Sequence, residues 1–313
     1  MIATVFQTQL HELVEVSGLR WSHVEAHPPS MPAVGCPRPD GTTSRARTFT
    51  VPAMVVVVDD AGGNGMPVVC LPMLGMSRAG TALAFGPALA GDGLREVYLD
   101  LPGHGDAPGE GAADSQTILD TVCDWLQRHL QRPALLAGAS YGAYLAAGVA
   151  RQRPDLVEGL LLVCPGVRVG AHERALPNQT PPAAEQGWLE AAPAELHGHL
   201  DRALGHRTRA VVEVVLQALA AGGPGDEAYQ DALTDGLGYA LADQDDELLF
   251  DGPVTIVAGR NDRVVGYADQ FHALQAYPRG TYCVVDAAGH YLPWEQPELF
   301  RALTQDWLQR RDT

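Results

Sequence analysis

No lysine occurs in the 313 residues, so all 21 basic side chains are arginines. Basic residues are also few beside the 38 acidic ones, which gives a formal net charge of −17. A surface with this charge repels a phosphate backbone and an anionic bilayer rather than attracting them. We therefore expect neither nucleic acid nor a membrane among the partners.

The sequence also has no run of about 20 apolar residues, the length that a membrane-spanning helix needs. The longest apolar stretch, residues 135–150, is interrupted by Gly138, Ser140, Tyr141 and Gly142. Residues 1–16 have neither the basic start nor the continuous apolar stretch of a secretory signal. We expect a cytoplasmic protein.

Cysteine is scarce as well: there are five, an odd number, which argues against a disulfide framework. Cys70, Cys164 and Cys283 each lie in, or at the end of, an apolar run that is typical of a buried strand. We expect them to be reduced thiols in the core.

Short apolar strands alternate with helical patterns over most of the chain. In one helix, predicted from about Ser115, apolar residues recur at helical spacing through Leu130. Expected strands include residues 48–51, 54–58, 68–71, 96–99, 135–137, 159–163, 254–258 and 282–285. Continuous apolar strands separated by helices indicate an α/β protein with a parallel sheet covered on both faces. The first strands, with the glycine-rich turn at 62–65, resemble a hairpin leading into this sheet.

The alternation of strands and helices is interrupted once, which suggests a domain organisation. Residues 1–45 form an N-terminal extension, and residues 46–167 with 250–313 form the core. Residues 168–249 are predicted to be an inserted helical cap, because they show only helical stretches, at 182–204, 207–221 and 226–241.

The pattern Gly138-Ala139-Ser140-Tyr141-Gly142 matches G-x-S-x-G, and it follows an apolar strand and precedes a helix rich in small residues. The two glycines have a steric purpose, because the turn brings strand and helix so close that a Cβ would clash. A serine in such a turn needs a base, and the base needs an orienting acid. Downstream, Asp262 follows the strand at 254–258, and His290 follows the strand at 282–285.

These segments, with Asp100-Leu101-Pro102-Gly103-His104-Gly105 and Gly289-His290 followed by Glu295 and Pro297, resemble the α/β-hydrolase superfamily over about residues 46–310. The resemblance implies a mostly parallel, eight-stranded sheet with an inserted helical cap. It also implies that Ser140 is the nucleophile, His290 the general base and acid, and Asp262 the carboxylate that fixes the imidazole tautomer. Asp100, His104 and Glu295 are expected to organise loops near the site.

An oxyanion hole requires two backbone N–H groups. The resemblance assigns one to Tyr141 and the other to the loop Leu71-Pro72-Met73-Leu74-Gly75, where the family usually has His-Gly. Proline has no N–H, so the second donor is Leu74 or, alternatively, Met73. Leu74 is favoured by alignment with the usual motif.

The expected activity is that of a serine hydrolase acting through an acyl-enzyme on a small, mostly apolar carboxylic ester or lactone. A helical cap would close an apolar pocket over Ser140. Candidate wall residues are Met73, Met76, Trp188, Tyr229, Tyr239, Tyr291 and Trp294. Three alternatives stay open: a carbon–carbon bond hydrolase of ring-cleavage diketones, a thioesterase or cyclase that tailors natural products, and a small-molecule receptor without turnover. Oligomeric state does not follow from the sequence.

Histidine spacing suggests a metal site only superficially. His23 and His27, with Glu25 between them, lack a third ligand, and His197 and His199 point to different faces of a helix; His206 follows nearby. We expect neither a metal nor a cofactor.

Overall fold

The computed structural model describes residues 47–50, 54–91, 93–179, 181–223, 225–235, 237–244 and 249–312. The predicted N-terminal extension, with His23, Glu25 and His27, lies outside the described residues. The strands are β1 (Arg47–Thr50), β2 (Val55–Asp60), β3 (Met66–Leu71), β4 (Leu94–Asp100), β5 (Ala134–Ala139), β6 (Val157–Val163), β7 (Val254–Gly259) and β8 (Gly280–Val285).

These strands form one eight-stranded sheet in the order β1-β2-β4-β3-β5-β6-β7-β8. The pairs β1–β2 and β2–β4 are antiparallel, and all other neighbours are parallel. The mostly parallel α/β sheet expected from the sequence is thereby confirmed. The turn at Gly62 and Gly63 does not join paired strands, since β4 lies between β2 and β3.

The helices are α1 (Arg78–Leu89), α2 (Ser115–His129), α3 (Tyr141–Gln152), α4 (Ala194–Ala203), α5 (Arg209–Ala220), α6 (Glu227–Asp235), α7 (Ala268–Ala273), α8 (Leu292–Glu295) and α9 (Pro297–Gln309). Helix α2 begins at a capping residue, Asp114, whose carboxylate accepts a hydrogen bond from Thr117 N. Its periodic apolar residues are buried as predicted up to Leu126, with Trp125 only 1% exposed, whereas Leu130 follows the end of the helix and is half-buried.

The core has two clusters, one on each face of the sheet. Successive strand residues alternate between them: Cys70 lies in one cluster and Leu71 in the other, because strand side chains point to opposite faces. Buried residues of α1, α4, α5 and α9 line the first face, and those of α2, α3 and α6 line the second. The expectation that helices cover both faces is confirmed.

The helical patterns at 182–204 and 207–221 appear as the shorter helices α4 and α5, and the pattern at 226–241 as α6 followed by a 3-10 turn, Leu237–Tyr239. Among the described residues between β6 and β7, no strand occurs. These helices contribute to both core clusters: α4 and α5 to the first, α6 to the second.

Helix α1 is an element that the sequence pattern did not predict. It contains Gly80, Gly86 and Pro87, residues that ordinarily disfavour a helix interior. Its start is stabilised locally, because the Ser77 hydroxyl accepts a hydrogen bond from Gly80 N. Tertiary packing decides the rest, since Phe85 and Leu89 are fully buried in the first cluster.

Cys70, Cys123, Cys164 and Cys283 are free thiols. Cys70 and Cys164 are fully buried as expected, and Cys283, on the edge strand β8, is half-buried. In the described part of the chain, none of the helices combines the length and the apolar character needed to cross a membrane.

Candidate active site

Ser140 lies in the sharp turn between β5 and α3, where the two flanking glycines have no room for side chains. A Cβ on Gly138 would come within 2.6 Å of Ala143 N, and one on Gly142 within 2.6 Å of Pro72 O. Both neighbours are backbone atoms, which cannot move aside as a side chain would. The close approach of strand, loop and helix therefore explains both glycines.

The backbone of Ser140 has φ 75° and ψ −104°, in the left-handed region that non-glycine residues rarely occupy. Its N–H donates to Val163 O on the neighbouring strand at 2.9 Å. Ser140 is 9% exposed. Strain of this kind persists only where the surroundings hold it in place, and it is frequent at functional sites.

Asp262 and His290 come from the carboxyl ends of β7 and β8, and the sheet brings them to Ser140. His290 Nε2 is 2.9 Å from Ser140 Oγ, and His290 Nδ1 is 2.8 Å from Asp262 Oδ2. The other Asp262 oxygen accepts hydrogen bonds from Val264 N and Val265 N at 2.8 and 3.0 Å. Asp262 is fully buried and His290 is 5% exposed.

A hydroxyl, an imidazole and a carboxylate linked in this way can activate the hydroxyl oxygen as a nucleophile. The ring can take the hydroxyl proton as the oxygen attacks an electrophile, and the carboxylate can stabilise the resulting imidazolium. The three residues lie 122 and 28 positions apart along the chain, and the hydrogen bonds between them follow from the parallel order of β5, β6, β7 and β8.

The loop after β3 packs directly beside the start of α3. Residues 73–76 form a turn in which Met76 N donates to Met73 O at 3.1 Å, with Gly75 at φ 77°. This bond uses the amide of Met76 and not that of Leu74. Tyr141 is the first residue of α3, where a backbone N–H has no intrahelical acceptor.

Asp100 and His104 lie in the segment after β4 and are both fully buried. The Asp100 carboxylate accepts hydrogen bonds from Arg78 N at 2.5 Å and Asp106 N at 3.0 Å, and it forms an ion pair with the Arg78 guanidinium. Arg78 also pairs with Asp59 at 3.2 Å. This buried ion cluster was not found in the sequence, because its members are distributed over β2, α1 and β4.

His104 packs with its ring parallel to that of Tyr141, with 6.3 Å between centroids and 7° between planes. Its Nδ1 is 3.0 Å from Pro102 O, within the tight turn after β4. Burial lowers the pKa of His104 to about 4, so its imidazole is neutral at physiological pH.

The candidate wall residues separate into two groups. Met73, Met76, Trp188, Tyr291 and Trp294 pack on the face covered by α1, α4, α5 and α9, whereas Tyr229 and Tyr239 pack on the opposite face. Tyr291 lies beside the triad, with its ring centroid 6.1 Å from that of His290. Tyr229 donates from its hydroxyl to Ala112 O at 3.0 Å, which fixes it in the core.

A cavity of about 760 Å³ opens elsewhere on the molecule, between residues 105–108 and the start of α6. Asp106, Asp226, Glu227 and Asp231 make its lining acidic. None of its lining residues is Ser140, Asp262 or His290.

The histidines in and after α4 each lie within hydrogen-bonding distance of a protein oxygen. His197 Nε2 is 2.9 Å from Ala192 O, His199 Nε2 is 3.0 Å from Tyr291 Oη, and His206 Nδ1 is 3.1 Å from Glu295 O. Burial, with the nearby His290, lowers the pKa of His199 to about 3.

Among the described residues, one group of potential metal ligands stands out: Cys164, Asp262 and His290, with ligand atoms within 4.8 Å of one another. Two of its members already bind each other through the bond between His290 and Asp262. The Cys164 thiol lies 3.5 Å from Gly289 O, and burial raises its pKa well above the ordinary value, which disfavours the thiolate that metals bind.

Comparison with known proteins shows the family and the fold. A model described as "Alpha/beta hydrolase family" matches residues 68–303. The crystal structure of an alpha/beta superfamily hydrolase from Oenococcus oeni superimposes with a TM-score of 0.71 at 23% identity, covering 85% of this chain and 100% of that one. At this identity, the structural likeness shows the fold alone.

Two curated proteins are similar over part of the chain. One is the (E)-2-((N-methylformamido)methylene)succinate hydrolase of Acinetobacter baylyi, 31% identical over 142 residues, which are 44% of this chain and 48% of that protein. The other is the pimeloyl-[acyl-carrier protein] methyl ester esterase of Methylococcus capsulatus, 37% identical over 105 residues, 34% of this chain and 39% of that protein. The chain thus matches about half or less of the length of these relatives.

Proposed function

Because the chain belongs to the alpha/beta hydrolase family, we propose that it is a serine hydrolase that cleaves a small, mostly apolar carboxylic ester or lactone. The observation that carries the proposal is the pair of hydrogen bonds that links Ser140 to His290 and His290 to Asp262. No other arrangement described above joins a nucleophile, a base and an orienting acid.

In the proposed reaction, Ser140 Oγ attacks the ester carbonyl carbon while His290 Nε2 takes the hydroxyl proton. The carbonyl oxygen becomes an oxyanion, which accepts hydrogen bonds from Tyr141 N–H and Leu74 N–H. The intermediate collapses, the carbon–oxygen bond to the alcohol breaks, and His290 returns the proton to the leaving alkoxide. The product of this first half-reaction is an ester of Ser140.

The second half-reaction repeats the same steps with water. His290 takes a proton from water, the hydroxide attacks the acyl carbon, and the proton returns to Ser140 as the acid leaves. Asp262 accepts a hydrogen bond from Nδ1–H throughout, which keeps Nε2 available as the base. The bonds from Val264 N and Val265 N to its second oxygen hold the carboxylate in this orientation.

Residues 168–249 act in this proposal as a cap that limits substrate size. The support is the position of α4, whose His199 bonds to Tyr291 next to the catalytic histidine. An ester is preferred to the other substrates because a methyl ester esterase is among the similar curated proteins. Met73, Met76 and Trp294 pack in the same apolar cluster as Tyr291, which favours an uncharged acyl group.

Intact-protein mass spectrometry after treatment with a fluorophosphonate tests the proposal. The wild-type chain should gain one adduct, and Ser140→Ala none, because alanine keeps the shape of the turn but lacks the attacking oxygen. Ser115→Ala is the matched control, since Ser115 is a second buried serine, bonded to the Tyr141 hydroxyl and not to His290. It should keep the adduct. An unmodified wild-type chain, or an adduct on Ser140→Ala, would contradict the assignment. If the wild-type chain is labelled as expected, hydrolysis of a panel of short-chain esters and lactones would define the acyl group.

A further inference from the structure

Glu295 is a buried carboxylate that the proposed reaction does not use. It is 2% exposed and ends the short helix α8. Its two oxygens accept three backbone hydrogen bonds: Oε2 from Gly205 N at 2.7 Å and His206 N at 2.8 Å, and Oε1 from Gly289 N at 2.8 Å. Hydrogen bonds to an ionised acceptor are the strong ones in proteins.

The donors come from two segments far apart in sequence. Gly289 immediately precedes His290, while Gly205 and His206 follow the end of α4. The same two segments also touch directly, because His290 N donates to Ala203 O at 2.6 Å. Gly289 leaves no room for a side chain of its own against Ala203 O, so this loop offers only its backbone groups for contacts here.

We propose that Glu295 is a positioning residue for His290: its carboxylate holds the Gly289 peptide against the end of α4 and thereby fixes the backbone from which the imidazole projects. The proposal rests on the function proposed above. Asp262 orients the imidazole ring of His290 through Nδ1, and Glu295 fixes the position of the His290 backbone. Both are needed to keep Nε2 within hydrogen-bonding distance of Ser140.

The charged and titratable groups around Glu295 define the conditions for a test. Asp262, Arg207, Tyr291 and Cys164 interact with it electrostatically, and His206 contacts its main chain. Burial, opposed by the three backbone hydrogen bonds and reinforced by Asp262, raises the pKa of Glu295 to about 7. Assays at pH 8 therefore address mainly the ionised form.

Glu295→Gln is the informative variant, because glutamine has the same size but only one accepting oxygen. Its amide nitrogen must then face a backbone N–H, either that of Gly289 or those of Gly205 and His206. We expect kcat for a short-chain ester to fall about 10- to 100-fold, the effect of a displacement of about 1 Å at a catalytic group. KM should stay within about twofold. Glu96→Gln is the matched control. Glu96 lies in the first half of β4, four residues before the carboxyl end of that strand, and its carboxylate accepts a hydrogen bond from the Tyr98 hydroxyl. This substitution should leave activity unchanged.

Fluorophosphonate labelling distinguishes positioning from damage to the fold. A misplaced imidazole should slow the labelling of Glu295→Gln about 10- to 100-fold, while the final yield still reaches one adduct per chain. A variant that is partly unfolded would instead label at the wild-type rate with a yield below one. Labelling at the wild-type rate with a reduced yield would overturn the proposal, and so would wild-type rates of both ester hydrolysis and labelling. Either result would leave Ser140 as the labelled nucleophile of the wild type. An unlabelled wild type would refute the serine mechanism itself.

Amide hydrogen exchange of the wild-type chain gives a test without a variant. The amides of Gly205, His206 and Gly289 should exchange slowly and at similar rates, since one carboxylate accepts all three. Fast exchange of Gly289, beside slow exchange of Gly205 and His206, would overturn the proposal even if Glu295→Gln fails to fold.

Discussion

Replacing Gly142 by alanine should impair catalysis by displacing the loop after β3. An alanine Cβ would lie 2.6 Å from Leu71 C and from Pro72 O. Non-bonded heavy atoms make favourable contacts at about 3.5 Å. The loop must therefore retreat by about 1 Å, and it carries Leu74, the proposed second oxyanion donor. A displacement of that size corresponds to a loss of about 100-fold in kcat/KM, or about 2.7 kcal/mol of transition-state stabilisation.

Gly148→Ala is the matched control, because Gly148 lies in the same helix, α3. A Cβ there would meet the end of the Leu241 side chain at 2.6 Å and that of Leu119, and such side-chain ends can rotate away. Overpacking lowers the free energy of unfolding by about 1–3 kcal/mol at such a site, but no backbone near Ser140 has to move. We expect its kcat/KM to stay within about threefold of wild type.

The assay is hydrolysis of a short-chain p-nitrophenyl ester at saturating and limiting concentrations, with thermal unfolding of each variant as the reference for stability. If Gly142→Ala keeps wild-type activity, the close approach of loop and helix does not position the oxyanion donors. Equal losses in the two variants would likewise refute the reasoning, because the effect would then follow general destabilisation.

Two further predictions concern the carboxylates of the site. Asp262→Asn should lower kcat by about 10³–10⁴ with little change in KM: its oxygen can still accept from Val264 N and Val265 N, so its NH₂ group faces His290 Nδ1 and imposes the wrong tautomer. Rates equal to wild type would place the acid elsewhere. For Glu295, a pKa of about 7 in the folded chain against 4.5 in the unfolded chain means that the folded state binds the proton more tightly. The free energy of unfolding should therefore decrease as the pH rises from about 4.5 to 7, by on the order of 3 kcal/mol from this group. Urea unfolding should show that the free energy of unfolding falls more between pH 5 and pH 8 for wild type than for Glu295→Gln. Equal decreases in the two proteins would contradict the raised pKa of Glu295.

The parts of the fold that the sequence predicted are those with a strong local signal. Strands β5, β6 and β7 are continuous apolar runs, and α2 has a clear helical period, so each was found from neighbouring residues alone. Helix α1 was missed because Gly80, Gly86 and Pro87 weaken its local signal, and burial of Phe85 against Phe300 of α9 outweighs them.

For the candidate site, the residues at Ser140, Asp262 and His290 were proposed because each follows a predicted strand in a recognisable pattern. Their catalytic roles stay predictions. The structure adds the distances between them, which depend on the order of the strands and on close backbone contacts such as that of Gly259 with Gly289.

The sequence by itself determined the class of fold, the strand-turn-helix around Ser140 and the order of the three residues along the chain. The first two follow from the steric and hydrophobic properties of adjacent residues, and the order of the three residues gained its meaning from the resemblance to the α/β-hydrolases. Tertiary structure alone decided which backbone groups the Glu295 carboxylate bonds, how Asp59, Arg78 and Asp100 pair, and on which face Tyr229 is buried. Glu295 and Gly205 are 90 residues apart, and no local pattern encodes a contact that exists only after the sheet and its helices have packed.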